Sequence, residues 1–243
     1  MSNKPEKQLF IFRKLLSLMK QDENKVLTHA LGLSSLTYFN SDFIEKIAIQ
    51  EAWKYKILEK QGMLCLIVET DKQIYIAFRG TMPNMFSNWK KILNFIPKSF
   101  KDDLKAHGGF VLVQQQYKTF IQDYLNTLDH TKEIIFTGHS LGAAIASLYN
   151  IDYVNQSKCM SFASPNVLFN CKFDSKFSYS FRINQDFVTK IPLSLPFFKW
   201  TIPTNTIRIK SKYRGLNPLS YHALTNYIQS MLKGDLTELS KMI

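Results

Sequence analysis

Apolar positions along this chain follow two rhythms. Spacings of three and four mark helices, and short unbroken apolar runs mark strands. Val113, Tyr117, Phe120, Tyr124 and Leu128 share one helical face across 111–128. The same spacing predicts helices over 9–20, 26–39, 141–155 and 222–232. Apolar runs predict strands over 63–69, 73–79, 133–137, 158–163, 179–183 and 206–210, the first two joined by a turn at Thr70-Asp71-Lys72. Strands alternating with helices give an α/β fold with a central, mostly parallel sheet flanked by helices. No internal repeat or low-complexity linker divides the chain, so the expectation is one domain over 1–243, opening with a helical segment over about 1–45.

Composition narrows the class. Of 243 residues, 45% are hydrophobic and 21% charged, enough for a sizeable core, which excludes a disordered or fibrous chain. The longest pure apolar run, 63–68, has six residues, whereas a membrane-spanning helix needs about 20. The apolar stretch 9–12 is cut by Arg13-Lys14, too short for the apolar region of a signal peptide. Cys65, Cys159 and Cys171 form no CxxC and no zinc-finger spacing with histidine, so no metal and no cofactor are expected. Cys65 and Cys159 sit inside apolar runs and read as core. These features lean towards a cytoplasmic, monomeric protein.

With 31 basic against 19 acidic residues, the net charge is +12. That favours an anionic partner, or only a well-solvated surface. The basic residues are spread along the chain without a nucleic-acid-binding motif, so a nucleic-acid partner is not expected.

The chemistry concentrates at Gly138-His139-Ser140-Leu141-Gly142. A strand pattern precedes this G-x-S-x-G and a helix pattern follows it, the context of a nucleophile elbow. Glycines at both ends let strand and helix approach, and the serine hydroxyl stands near the helix N-terminus, where free amides favour negative charge. The alternative is a glycine-bracketed turn in which Ser140 only caps the helix. A reactive serine needs a base and the base an orienting carboxylate, in the chain order serine, acid, histidine. His222 is the only histidine after Ser140, which fixes the base. The acid is Asp152, Asp174, Asp186, Asp235 or Glu238; Asp186 is chosen because it follows a strand, where active-site groups gather in open α/β sheets.

Several ordered segments resemble the class 3 lipase family, the fungal-type triacylglycerol lipases with an α/β-hydrolase-like fold. They are Ala77-Phe78-Arg79-Gly80-Thr81, Asn88-Trp89, His107-Gly108-Gly109-Phe110, the elbow, Ser161-Phe162-Ala163-Ser164-Pro165, Arg182-Ile183-Asn184-Gln185-Asp186 with Ile191-Pro192, and Tyr221-His222. The likeness covers roughly residues 50–230. It departs at Ala143, where many relatives have glycine, and at Asn88, where an aspartate often precedes the tryptophan. The resemblance implies a serine carboxylester hydrolase acting on lipid esters through an acyl-enzyme, with Ser140 as nucleophile, His222 as base and Asp186 orienting it. It also implies that the backbone N–H groups of Thr81 and Leu141 form the oxyanion hole. A phospholipase A1-type hydrolase of anionic membrane lipids and a non-catalytic lipid-binding module are the alternatives.

Residues 82–96 carry Met85, Phe86, Trp89 and Leu93 at helical spacing directly after Thr81. This reads as a lid that covers the site in water and turns to lipid at an interface; an ordinary core-facing helix is the other reading. Peripheral contact with a lipid surface follows from the lid, and the lysines after it, Lys98, Lys101 and Lys105, favour an anionic membrane.

Overall fold

The computed structural model describes residues 5–21, 26–81, 95–153, 157–171, 173, 177–233 and 239. The chain opens with three helices, α1 (Pro5–Gln21), α2 (Val26–Leu36) and α3 (Ser41–Gln50). Strands β1 (Lys54–Lys60), β2 (Met63–Glu69) and β3 (Gln73–Phe78) follow, then β4 (Pro97–Ser99) and β5 (Lys105–His107). Helix α4 (Gly108–Leu125), strand β6 (Glu133–His139), helix α5 (Leu141–Asp152) and strand β7 (Ser157–Phe162) form the centre. The chain continues through β8 (Leu168–Phe169), β9 (Tyr179–Ile183), β10 (Trp200–Thr201), β11 (Asn205–Ile209), α6 (Pro218–His222) and α7 (Leu224–Lys233).

Among the described residues the main sheet has the order β1-β2-β3-β6-β7-β9-β11. The β1-β2-β3 meander is antiparallel, and every pairing from β3 to β11 is parallel. Central strands read as continuous apolar runs because helices cover both faces. Within each strand the side chains still alternate between two cores. Leu64, Leu66, Tyr75, Ala77, Ile135, Met160 and Phe162 face the core built with α1, α2 and α7. Cys65, Ile67, Ile74, Ile76, Phe78, Phe136 and Cys159 face the core built with α4 and α5. A small antiparallel sheet, β10-β8-β5-β4, forms beside it from loops between the main elements.

The described structure departs from the sequence pattern in particular places. Helix α3 is an addition, started by Asn40, whose side chain accepts from the Phe43 N–H at 3.0 Å. Strand β1 is another addition; its outward lysines alternate with Tyr55 and Ile57, which pack on the core. The helix expected over 222–232 is two helices. Ala223 adopts an extended conformation, so His222 closes the short α6 and Leu224 opens α7. The lid segment, with Met85, Phe86, Trp89 and Leu93, lies outside the described residues. Among the described residues no helix is long and apolar enough to cross a membrane.

Candidate active site

Strands β3, β6, β7, β9 and β11 run the same way, so their carboxyl ends share one edge of the sheet. Thr81 leaves β3 there, Ser140 leaves β6, and Asp186 leaves β9. In open α/β sheets this edge is where ligand sites form.

Ser140 sits between β6 and α5 at φ 59°, ψ −123°, a left-handed conformation that L-residues rarely adopt. Three backbone bonds hold it there: its N–H donates to Phe162 O on β7 at 3.0 Å, and its carbonyl accepts from the N–H groups of Ala143 at 3.0 Å and Ala144 at 3.2 Å. Gly142 permits the tight turn, since a Cβ on it would overlap the Phe78 carbonyl of β3. Strain of this kind persists only where the surroundings enforce it, and it lifts the hydroxyl clear of the strand. The Ser140 side chain makes no capping bond to its own helix, unlike Asn40 on α3.

The hydroxyl instead meets His222. Ser140 Oγ lies 2.7 Å from His222 Nε2, and His222 Nδ1 lies 2.9 Å from Asp186 Oδ2. With the carboxylate accepting, Nδ1 carries a proton and Nε2 presents its lone pair to the serine O–H. Asp186 is fully buried. Its Oδ2 also accepts from Tyr227 O–H at 2.8 Å, and its Oδ1 accepts from the Val188 N–H at 3.0 Å. Burial pushes the carboxyl pKa up, but hydrogen bonds from His222 and Tyr227 and the nearby imidazole outweigh it, so it lies below the usual aspartate value. A buried carboxylate this well satisfied stays ionised opposite the imidazole. The other acid that the chain offers here within the described residues, Asp152, ends α5 and pairs with Lys118 instead.

The structure therefore brings Ser140, His222 and Asp186 together. Leu141 is the first residue of α5, whose opening amides have no acceptor within the helix. Thr81 lies just past β3 at the same edge and is partly exposed.

Behind these groups stands a second layer that sequence reasoning missed. His139, next to the nucleophile in the chain, is buried directly beneath the triad. Its Nε2 lies 2.9 Å from the carbonyl of His222 and its Nδ1 lies 2.9 Å from Tyr38 O–H. A carbonyl can only accept, so Nε2 carries the proton, Nδ1 accepts, and Tyr38 donates. Burial, with the His222 ring nearby, pulls the His139 pKa down to about 3, so this ring is neutral at ordinary pH. Tyr38 is held in place by Arg79. That side chain donates to Thr37 O (2.5 Å) and Phe39 O (2.7 Å), the carbonyls flanking Tyr38, and to Glu59. Gly80 lets the tyrosine reach across, because a Cβ there would collide with the Tyr38 hydroxyl. The signal in the sequence was faint. Arg79 and Gly80 lie next to Thr81, but nothing local ties them to Tyr38, 41 residues before Arg79.

His107 has a separate role. It is the N-cap of α4, with Nδ1 accepting from the Phe110 N–H and its ring stacked on Phe110 at 3.9 Å. Burial lowers its pKa to about 4. The His-Gly-Gly-Phe run is thus a helix start. Among the described residues no group of three His, Cys, Asp or Glu side chains is placed to hold a metal ion.

A mostly parallel sheet with a serine on a strained strand-to-helix elbow, and an imidazole and carboxylate behind it, defines the α/β-hydrolase-like class. Comparison with known proteins gives the family. The class 3 lipase model matches residues 75–195, and the chain belongs to that family. A lipase from Rhizomucor miehei is 30% identical over 126 residues, covering 49% of this chain and 34% of that protein. A lipase from Rhizopus oryzae is 33% identical over 101 residues, covering 39% of this chain and 26% of that protein. The matches thus span about a third or less of these curated relatives. Among solved structures, a mono- and diacylglycerol lipase from Aspergillus oryzae superposes with a TM-score of 0.56 at 22% identity, covering 76% of this chain and 74% of that one. The Rhizomucor miehei lipase in complex with its propeptide gives 0.56 at 21% identity, covering 78% and 68%. These likenesses establish the shared fold.

Proposed function

We propose that this chain is a serine carboxylester hydrolase of lipid esters that works through Ser140, His222 and Asp186. The observation that carries the reading is the 2.7 Å contact between Ser140 Oγ, on its strained elbow, and His222 Nε2. Ser140 Oγ attacks the ester carbonyl carbon while His222 Nε2 takes its proton. The negative oxygen of the tetrahedral intermediate points to the backbone N–H groups of Leu141 and Thr81. The carbon–oxygen bond to the alcohol then breaks as His222 returns the proton to the departing oxygen, leaving an acyl-serine. Water attacks the acyl carbon, giving its proton to His222, and Ser140 leaves as the acid is released. Asp186 keeps Nδ1 protonated throughout and balances the imidazolium charge.

A lipid rather than a small soluble ester is favoured by an exposed apolar surface on the segment between β9, which leads into Asp186, and β10. Between β9 and β10 the chain makes a hairpin in which Leu195 and Phe198 exchange two backbone bonds. Asn170 fixes it further through Phe197 O and the Lys199 N–H. This rigid hairpin nevertheless points Leu193, Leu195, Phe197 and Phe198 at solvent, Phe197 with 86% of its surface exposed. Contiguous exposed apolar side chains on a well-ordered turn mark an interaction surface. The lid role of 82–96 belongs to the same reading.

The test is hydrolysis of a panel of tri-, di- and monoacylglycerols and phospholipids by wild type and Ser140→Ala. Ser140→Ala is expected to lose on the order of 10⁴–10⁶ in kcat. Full activity in that variant, or no lipid ester in the panel being cleaved by wild type, refutes the proposal.

A further inference from the structure

We infer that a basic cavity beside the triad binds the phosphate headgroup of an anionic phospholipid and seats the protein on a charged membrane. The inference deepens the lipid-ester reading by naming the surface on which the site would work. The cavity, about 470 Å³, is formed where the end of β11 and the following loop face Asn184. Arg208, Lys210 and Arg214 line it together with Tyr213 and Tyr221, and no acidic residue does.

The fold makes this cavity a built feature. Ile207 and Ile209 point into the core, so alternation along the strand turns Arg208 and Lys210 to the outer face. Arg208 is steadied by a 2.6 Å bond from its guanidinium to Asn184 Oδ1, which leaves its other N–H donors free for an anion with several acceptor oxygens, such as a phosphate. The loop carrying Arg214 is fixed on several sides. Lys212 N donates to Ser230 Oγ at 2.8 Å, Tyr213 N to Asn226 Oδ1 at 3.1 Å, and Tyr221 O–H to Gly215 O at 3.0 Å. Cations held close together without acidic partners repel one another, and an anion between them relieves that repulsion.

The apolar residues that follow the cavity loop in the chain say what kind of anion. Leu216, next to Gly215 in the same loop, is 100% exposed, and Leu219, in the first turn of α6, is 63% exposed. A basic hollow with exposed leucines on the adjoining loop and helix matches a phospholipid: phosphate in the hollow, leucines among the acyl chains. The placement is also productive. Tyr221 precedes His222, and Asn184 lies two residues before Asp186, so a lipid surface held here lies against the edge that carries Ser140.

The test uses the full chain as Ser140→Ala, so that no lipid is consumed. Binding to phosphatidylcholine vesicles is compared with binding to vesicles in which about one-third of the lipid is phosphatidylglycerol, a composition in which each basic residue at the surface is worth roughly fivefold in affinity. The combined Arg208→Gln, Lys210→Gln, Arg214→Gln variant should bind the charged vesicles roughly 100-fold more weakly. A control of equal net charge, Lys7→Gln, Lys46→Gln, Lys60→Gln, removes exposed lysines elsewhere and should change binding less than about threefold, as charges away from the surface are screened. Leu216→Ser, Leu219→Ser should weaken binding to both vesicle types. Equal losses in the two triple variants would show diffuse charge and overturn the proposal. So would inorganic phosphate, followed by its phosphorus resonance, binding in a way that the pocket variant abolishes while vesicle binding stays unchanged. Preference of the same residues for duplex DNA over vesicles also overturns it. Turnover of a soluble ester by wild type, measured alongside, tests the hydrolase reading separately from the membrane one.

Discussion

Replacing Tyr38 with phenylalanine removes a single oxygen from the fold and tests the layer beneath the triad. The hydroxyl donates to Nδ1 of His139, whose Nε2–H in turn donates to the carbonyl of His222. Without it, a buried imidazole nitrogen loses its partner, at a cost of about 1–3 kcal/mol. A fold of this size, whose stability is about 5–15 kcal/mol, tolerates that loss, so the variant should fold. The catalytic effect runs through His222. Its backbone is steadied by His139, and a displacement of a few tenths of an ångström at Nε2 lengthens the 2.7 Å contact to Ser140. Because an error of about 1 Å can cost 10²-fold, a tenfold fall in kcat is the reasonable scale, with KM for a soluble ester nearly unchanged. Steady-state kinetics on a short-chain nitrophenyl ester and urea unfolding at neutral pH give both numbers. A stability loss with wild-type kcat would show that His139 is only a core residue and would refute the positioning argument. No change in either quantity would refute the hydrogen-bond assignment itself.

Two other consequences follow from the same geometry. Gly142→Ala would press a methyl group against the Phe78 carbonyl of β3, which cannot move without shifting the sheet, so a loss of about 3 kcal/mol or more is expected in denaturant unfolding; a stable, active variant would contradict the elbow packing. Stability should also fall on acidification below about pH 6.5, because the unfolded imidazoles protonate near 6.5 while buried His139 and His107 resist until about 3 and about 4. The unfolded state therefore binds more protons in that window, and each ring costs about 1.4 kcal/mol per pH unit well below 6.5. Urea unfolding at pH 7 and pH 5 should show this decline, with a shallower slope in His139→Gln; flat stability over that interval would contradict the buried, neutral assignment.

The residues of the site were legible in proportion to how local their signal is. Ser140 announces itself because glycines, strand and helix are all within a few residues. His222 needed only the order of residues, since no other histidine follows the serine. Asp186 was reached through the strand before it, and the structure sets it against His222. Tyr38 and Tyr227 were illegible for a physical reason. Each sits in an apolar helical context and reads as packing, and its polar end meets a partner brought close only by the folded sheet, 101 residues away for Tyr38 and His139 and 41 for Tyr227 and Asp186. His139 was passed over because nothing near it in the sequence shows that its ring meets the His222 carbonyl and the Tyr38 hydroxyl, 83 and 101 residues away.

The fold shows the same division. Long apolar strands and the helix with Tyr117 at its centre were plain from their periods. The small sheet was not, since its strands of two or three residues are too short to show a period. Strand β1 did carry alternation, but its outward lysines and partly buried inner face gave it no apolar run. The break at Ala223 was hidden because the apolar spacing continues across it. That break matters, as it leaves His222 at the end of one helix, free to lean towards Ser140, while Tyr227 on the next helix reaches Asp186.

The most direct measurement of the central claim is labelling with a fluorophosphonate, which reacts only with a serine whose oxygen is activated by a base. Intact-mass and peptide analysis should find one adduct, on Ser140, in the wild-type chain, and none in His222→Ala. A folded wild-type chain that takes no label, or a His222→Ala variant that takes it at the wild-type rate, would contradict the account.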